Sequence, residues 1–336
     1  MERVDILILG AGGAGMMCAI QAARRGRDVL LIDHSTKIGG KILISGGGRC
    51  NFTNVGAGPA NYVSENPHFT KSALSRFPPA AFIEMMRDHE IPFHERKHGQ
   101  LFCDGSAQAI VDLLKSECDQ AGARFRLGYK IERVSRPDRP DSTGFKVDTD
   151  HGAFECESLV VATGGLSLPK LGATGIGYDI ARQFGLKVTE TAPALDGFTF
   201  TPEQEVLFRE LAGLSVNCSI TCNGISFREN LLFTHAGLSG PVALQASLHW
   251  KKGDEIKIDL LPGNDLFQWF LAKKKTGNRS VVKNLLGEML PNRLASRLCD
   301  LYFHSLLPLP QVSERELEAF CNLLHAWVLK PSGTVG

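Results

Sequence analysis

A chain of 336 residues, 43% hydrophobic and 22% charged, has room for two domains and the composition of a globular protein. Its formal net charge of +1 gives no overall field for nucleic acid or an acidic membrane. No segment approaches the roughly 20 uncharged apolar residues of a membrane span. The nine cysteines lack zinc-site and disulfide-framework spacing. We therefore expect no metal site, no membrane partner, and reduced thiols in the cytoplasm.

The first elements in the chain are a strand, a helix and a second strand. Asp5 to Gly10 is apolar and ends in glycine, and Gly13 to Arg25 repeats apolar residues at helical spacing. Asp28 to Asp33 contains Val-Leu-Leu-Ile, a continuous apolar run typical of a parallel strand buried on both faces. The pattern predicts a β-α-β unit.

The turn between the first strand and the helix carries Gly10-x-Gly12-x-x-Gly15. In a dinucleotide-binding unit the first glycine permits the tight turn, the second admits the pyrophosphate, and the third lets helix and strand pack closely. The helix N-terminus then faces the phosphates. Asp33 ends the second strand, where a carboxylate accepts ribose hydroxyls and disfavours a 2′-phosphate. We predict FAD or NAD; the alternative is a glycine-rich turn without a ligand.

A glycine-rich stretch, "IGGKILISGGGRCNFTN", follows from Ile38 to Asn54. Loops of this length without structure of their own are usually functional or disordered. Arg49 could meet a phosphate or another anion, or polarise a flavin carbonyl. Cys50 has no resolving cysteine beside it, which favours packing over redox chemistry.

Further α/β elements complete the predicted first domain. The segment "SLVVA", Ser158 to Ala162, predicts a buried strand that ends in a turn at Thr163 and Gly164. In dinucleotide-binding folds such a strand lies beside the first strand of the sheet. Helical and strand patterns occupy 79–89, 106–121, 124–131, 144–150, 153–156 and 177–184.

The pattern of predicted secondary structure changes near Thr189. Strand patterns dominate at first, in 195–201, 215–222 and 255–261, and a helical pattern follows from 266 to 328. We predict an α/β domain over 1–188 and a second domain over 189–336, β-barrel-like in 189–262 and helical in 263–336.

One histidine is a candidate for substrate chemistry. "FTHAGLSGP" places His235 among turn formers, where it could donate a proton to a substrate. The alternative, equally weighted, is a tight turn with a satisfied histidine.

Four stretches together resemble the YhiN/BaiN-like FAD flavoproteins, described as NAD(P)/FAD-dependent oxidoreductases. They are "GAGGAGMMCAIQAARRG", "GGKILISGGGRCNFTN", "VVATGGLSLPKLGATGIGYDIA" and "LLFTHAGLSGPVAL". The resemblance implies a glutathione-reductase-type FAD-binding Rossmann-like domain with an inserted small β-barrel and helical domain. One class in this family reduces the 3-oxo-Δ4 double bond of bile acids.

The resemblance also implies cofactor-site residues. The pyrophosphate and ribose contacts would be Gly10, Gly12, Gly13, Ala14, Gly15 and Asp33. The loop beside the flavin would contain Lys41, Gly47, Arg49, Cys50 and Asn51. Thr163 and Gly164 would form the returning strand end, and Ile131 would meet adenine. Because the family's C-terminal glycine-rich flavin segment is apparently absent after "KPSGTVG", we expect weaker FAD retention or a homodimer that covers the sheet edge.

These patterns predict an FAD-dependent oxidoreductase that passes a hydride from flavin to a small unsaturated or carbonyl substrate. No second GxGxxG follows a strand, so we expect NAD(P)H to act as a transient reductant. The alternative is a non-catalytic or impaired nucleotide-binding protein. An RNA-modifying flavoprotein has little support from a near-neutral chain without a basic stripe, and we expect no nucleic-acid partner.

Overall fold

A computed structural model describes residues 1–137, 143–208 and 210–336. The chain divides into two compact units, Met1–Glu190 and Thr191–Gly336. Within the described residues, no helix combines the length and apolar character needed to cross a membrane.

The first unit is built on a sheet of six strands in the order β6-β2-β1-β9-β8-β7. Strands β1, β2, β6 and β9 run parallel, and β7 and β8 complete the sheet antiparallel. The bounds are β1 Glu2–Leu9, α1 Gly13–Ala23, β2 Val29–Asp33, α2 Gly40–Ile44, β3 Asn51–Asn54, α3 Lys71–Arg76, α4 Pro79–Asp88, β4 Phe93–Glu95, β5 Gln100–Cys103, α5 Gln108–Ala121, β6 Arg124–Leu127, β7 Ile131–Ser135, β8 Phe145–Thr149, β9 Gly152–Val161 and α6 Ile176–Gln183.

The predicted β-α-β unit is present at the centre of this sheet. Val29 to Ile32 are all fully buried, as a strand covered on both faces requires. Leu7 and Leu9 face one apolar core, and Ile8 faces the other, on the opposite side of the sheet. A second, three-stranded antiparallel sheet in the order β3-β5-β4 belongs to the same unit.

The second unit contains an antiparallel sheet of seven strands in the order β15-β14-β11-β12-β13-β10-β16. Its core joins strand and helix side chains in one apolar cluster. The bounds are β10 Phe198–Thr199, α7 Pro202–Glu205, β11 Ser215–Cys222, β12 Ile225–Phe233, β13 Gly237–Ser239, α8 Pro241–Ser247, β14 Ile256–Asp259, α9 Leu266–Lys275, α10 Val282–Leu286, α11 Asn292–Tyr302, α12 Glu314–His325, β15 Trp327–Leu329 and β16 Gly333–Thr334.

The structure differs from the sequence-based prediction in three places. The segment 263–336 is not helical throughout, because β15 and β16 return to the sheet and pair with β14 and β10. The stretch Gly39–Asn54 is not an unstructured loop, because it forms α2, a 3-10 turn and β3. The two predicted strands 153–156 and 158–162 are one continuous strand, β9.

Candidate functional site

A cavity of about 710 Å³ opens at the carboxyl ends of the parallel strands in the first unit. The ends of β1, β2 and β9 all contribute to its wall, which is the edge where open α/β sheets bind ligands. Nine of the predicted cofactor residues line it: Gly10, Gly12, Gly13, Ala14, Asp33, Lys41, Ile131, Thr163 and Gly164.

Different neighbouring groups require glycine at Gly10 and at Gly15, on either side of the β1–α1 turn. Gly10 has φ +113° and lies against β9, where an added Cβ would be 2.4 Å from the Ala162 carbonyl oxygen. An added Cβ at Gly15 would be 1.9 Å from the Gly10 carbonyl oxygen, so this glycine permits helix–strand packing without lining the cavity.

Gly12 differs from these two residues, because the surrounding protein atoms leave space for a side chain at this position. An added Cβ there would meet no protein atom within 4 Å, although the residue lines the cavity. Gly12 caps α1 without a side-chain hydrogen bond, and no acid occupies the first turn of that helix. The first N–H groups of a helix lack intrahelical partners and carry the positive end of its dipole. The turn therefore forms a cradle that fits a pyrophosphate.

Asp33 fixes the shape of this cradle. Its Oδ2 accepts a hydrogen bond from the backbone N–H of Ala11 at 2.7 Å, and its Oδ1 accepts one from Ser35 N–H at 2.8 Å. Oδ2 has a second lone pair for a hydroxyl group, and His34 Nδ1 lies 3.4 Å from Oδ1. The site residues thus fit a dinucleotide, with the ribose acceptor attached to the pyrophosphate turn.

Lys41 connects α2 to the chain that follows β9. Its Nζ donates to the Gly165 carbonyl oxygen and lies within hydrogen-bonding distance of Ser167 Oγ, both at 3.3 Å. Gly164, at φ +77°, lies close enough that an added Cβ would be 3.4 Å from Lys41 Nζ. Two stretches distant in sequence therefore meet at the cavity wall.

The rest of the predicted flavin loop lies elsewhere. Gly47, Arg49, Cys50 and Asn51 do not line the cavity. Arg49 is exposed, and Cys50 is buried in the apolar core between sheet and helices. Burial raises the pKa of the Cys50 thiol, and the hydrogen bond with Ser45 partly offsets that effect. A buried, protonated thiol agrees with the packing interpretation of Cys50.

His235 belongs to the second unit, in the turn between β12 and β13. Thr234 and Gly237 close this turn through the Thr234 N–H to Gly237 carbonyl bond at 2.8 Å. His235 is exposed at its tip and is not among the residues that line the cavity. Its chemical role remains a prediction.

Some cavity residues were not predicted from the sequence. They include a second glycine-containing stretch, Leu171 to Ile176, and the polar residues His34, Lys37, Lys130, Asp150 and Asp179. The run "GATGIG", Gly172 to Gly177, was a detectable signal. An added Cβ would be 2.3 Å from His34 Nε2 at Gly172 and 2.7 Å from Thr163 Oγ1 at Gly177, so these glycines allow the chain to approach the strand ends closely. Its spacing does not match the dinucleotide fingerprint, so no role is predicted for it from the motif alone.

Comparison with known proteins identifies the family. Residues 4–237 match the HI0933-like protein Rossmann domain, and residues 192–336 match the HI0933-like protein barrel and H2TH domain. A ribosomal RNA dihydrouridine synthase of Escherichia coli is 47% identical over 337 residues, covering 100% of this chain and 83% of that protein. A ribosomal RNA dihydrouridine synthase of Haemophilus influenzae is 40% identical, covering 98% and 82%.

A more distant relative is the 3-dehydro-bile acid delta(4,6)-reductase of Clostridium scindens, 26% identical over 320 residues, which cover 90% of this chain and 75% of that protein. The predicted family and fold class are confirmed. The chain belongs to the HI0933-like family of FAD-dependent oxidoreductases, with a Rossmann domain followed by a barrel and H2TH domain.

Proposed function

We propose that this protein reduces uridine to dihydrouridine in ribosomal RNA. The observation that carries the proposal is identity of 47% across the whole chain with the Escherichia coli ribosomal RNA dihydrouridine synthase, supported by 40% identity with the Haemophilus influenzae protein. The proposal keeps the predicted unsaturated substrate. It departs from the expectation of a free small-molecule substrate and no nucleic-acid partner, which rested on the near-neutral net charge and the lack of a basic stripe in the sequence.

The reaction suits a flavin reductase. Uracil has a C5=C6 double bond conjugated to the C4 carbonyl, so C6 accepts a hydride and C5 accepts a proton. When bound, FAD would accept a hydride from NAD(P)H, by our proposal, and the reduced flavin would pass it to C6. The bile-acid relative is named for reduction of a double bond conjugated to a carbonyl, which is the same type of chemistry.

Residues of the cavity would hold FAD. The N–H groups at the start of α1, at Gly13 and Ala14, would bind the pyrophosphate, with Gly12 leaving the space for it. Asp33 would accept a ribose hydroxyl with the lone pairs that Ala11 and Ser35 leave free. Ile131, at the start of β7, would present its backbone to adenine.

Other residues would act on the flavin side and on the substrate. Lys41, Thr163 and Gly164 would contact the cofactor beyond the pyrophosphate. Arg49, which makes no side-chain hydrogen bond or ion pair in the described part of the chain, would hold an anionic group of the RNA. We propose His235 as the proton donor to the substrate.

The test uses the purified chain reconstituted with FAD and incubated anaerobically with NADH or NADPH. Bleaching of the flavin absorbance would establish the reductant. Deproteinised bacterial ribosomal RNA would then be added, and its digested nucleosides assayed for dihydrouridine by mass spectrometry. A parallel arm would offer a 3-oxo-4-ene steroid.

The expected result is dihydrouridine in RNA from cells that lack the enzyme, and none with boiled protein. Reduction of the steroid without reaction on RNA would favour the bile-acid-type activity. Bound flavin that no nicotinamide reduces, with no product in either arm, would favour the non-catalytic nucleotide-binding alternative.

A further inference from the structure

The three-stranded sheet β3-β5-β4 has one buried and one outward face. Phe93 and Cys103 are opposite each other and belong to the apolar core of the first unit. Because side chains alternate along a strand, their neighbours point the other way. On that outward face, β5 is central, and Phe102 is directly opposite both His94 on β4 and Asn51 on β3.

Phe102 forms the base of this face. Its ring lies near Gly46, where an added Cβ would be 2.8 Å from Phe102 Cε1. The His94 ring stacks beside it, with centroids 6.3 Å apart and planes 20° from parallel. The Arg96 guanidinium lies over the ring, with Cζ 4.2 Å from the ring centroid. Phe102 is thereby buried although it points outward.

A chain of hydrogen bonds fixes the plane of the Arg96 guanidinium. Arg96 Nε donates to His94 Nε2 at 3.1 Å, so the ring proton of His94 is assigned to Nδ1. His94 Nδ1 then donates to Asp104 Oδ1 at 2.6 Å. The hydrogen bond to His94 orients the edge of the Arg96 guanidinium, and the Phe102 ring packs against its plane. The guanidinium is therefore oriented without a bound ligand.

This arrangement leaves two functional surfaces of Arg96 free. Arg96 is exposed, and within the described part of the chain its two Nη groups make no hydrogen bond or ion pair. Among the aromatic rings of the described residues, only Phe102 packs on the guanidinium. Unpaired bases stack on arginine planes as well as on aromatic rings, and Nη groups donate to phosphates and base edges.

We propose that the outward face of this sheet is a single-stranded RNA contact, in which a base flanking the target uridine stacks on Arg96. This inference rests on the proposed function. Support comes from connectivity: β3 ends the same Gly39–Asn54 stretch whose Lys41 lines the cofactor cavity. A reductase of one base within a polynucleotide needs contacts for neighbouring nucleotides, and a pre-ordered stacking plane supplies one.

The experiment measures binding of fluorescein-labelled oligouridylate to the FAD-loaded protein by anisotropy, at several KCl concentrations. Arg96→Ala should weaken binding about five- to a hundredfold, the range of one stacked base. Arg96→Lys keeps the charge and loses the plane, so it should also weaken binding, with the salt dependence of the wild type retained. Arg25→Ala, at an exposed arginine after α1, is the matched charge control.

His94 is a positioning residue in this proposal. His94→Phe keeps a ring beside Phe102 and removes the acceptor for Arg96 Nε, so it should weaken binding less than Arg96→Ala. Its effect should largely disappear in the Arg96→Ala background, which a general loss of structure would not produce.

Two outcomes separate this inference from the proposed function. If the wild type forms dihydrouridine and binds oligouridylate, but the Arg96 variants bind like Arg25→Ala, the RNA contact lies elsewhere and the inference is wrong. If the wild type forms no dihydrouridine in ribosomal RNA, the proposed function is wrong and the inference is overturned with it.

Discussion

Asp33 and Ala11 are joined by a hydrogen bond of 2.7 Å, from the backbone N–H that follows Gly10 to the carboxylate that ends β2. The other oxygen of Asp33 accepts the N–H of Ser35. The predicted ribose ligand therefore also holds the pyrophosphate turn in place. We therefore expect cofactor affinity and local stability to depend on the same side chain.

Asp33→Ala should consequently lower both FAD affinity and the stability of the apoprotein. A hydrogen bond to a charged group contributes about 1.5–3 kcal/mol, which corresponds to roughly ten- to hundredfold in affinity. Flavin titration and thermal unfolding without flavin measure the two effects. A loss of affinity with unchanged apoprotein stability would show that the Ala11 bond contributes little.

Gly12 and Gly15 allow a matched comparison within one motif. Gly12→Ala places its methyl group in open space at φ −84°, so the apoprotein should fold normally while the methyl group excludes the pyrophosphate and FAD binding falls at least about tenfold. Gly15→Ala places a methyl group 1.9 Å from a carbonyl oxygen and should disrupt folding itself. Circular dichroism and flavin-to-protein absorbance ratios distinguish the two outcomes.

Lys41 and Arg49 belong to the same glycine-rich stretch but should have different effects. Lys41 lines the cavity and contacts Gly165, so Lys41→Ala should release FAD more readily, by about tenfold for one charge-assisted hydrogen bond. Arg49 lies outside the cavity wall, so Arg49→Ala should lower turnover on RNA at saturating FAD. Equal loss of flavin from both variants would place Arg49 at the cofactor after all.

Glu117 is a buried carboxylate, 7% exposed, that joins three helices. It accepts a hydrogen bond from Arg24, which follows α1, and lies 2.7 Å from Nε2 of His89, which follows α4. Glu117→Ala should destabilise the first unit by about 1.5–3 kcal/mol, because it removes the hydrogen bond from the Arg24 guanidinium. Asp119→Ala breaks the exposed Lys115 pair on the same helix and should cost less than about 1 kcal/mol. Urea unfolding compares them.

The β-α-β unit and the positions of its glycines and of Asp33 could be predicted from the sequence because the constraints on them are local; their role in cofactor binding stays a prediction. Gly10, Gly12 and Asp33 lie within one β-α-β unit, where strand and helix periodicity fixes their positions. The Arg96–His94–Asp104 chain was not predicted, since it depends on strand pairing across β4 and β5. Strands β15 and β16 were missed for a related reason: three- and two-residue strands carry little periodicity, and their pairing partners are distant in sequence.

Burial of the cysteine thiols should make the folded protein less stable at alkaline pH, because it raises their pKa values. Cys118 is fully buried, and its Sγ donates to the Met16 carbonyl oxygen at 3.5 Å. Burial, reinforced by the charge of Asp119, raises the pKa of this thiol from 9.0 to about 12. Above pH 9 the unfolded thiol loses its proton while the folded one keeps it. The contribution of this thiol to stability should therefore be constant below pH 9 and should decrease as the pH rises from 9 towards 12.

Cys118→Ala should remove one such contribution. For a single thiol the loss approaches about 1.4 kcal/mol for each pH unit above the unfolded pKa. Urea unfolding at pH 8, 9 and 10 would measure the slope for the wild type, Cys118→Ala and the neighbouring Ser116→Ala. Cys118→Ala should lower stability by a fixed amount at pH 8 and make the decline above pH 9 less steep, whereas Ser116→Ala should leave the slope unchanged. Parallel declines in all three proteins would mean that the Cys118 thiolate forms as easily in the folded state as in the unfolded one.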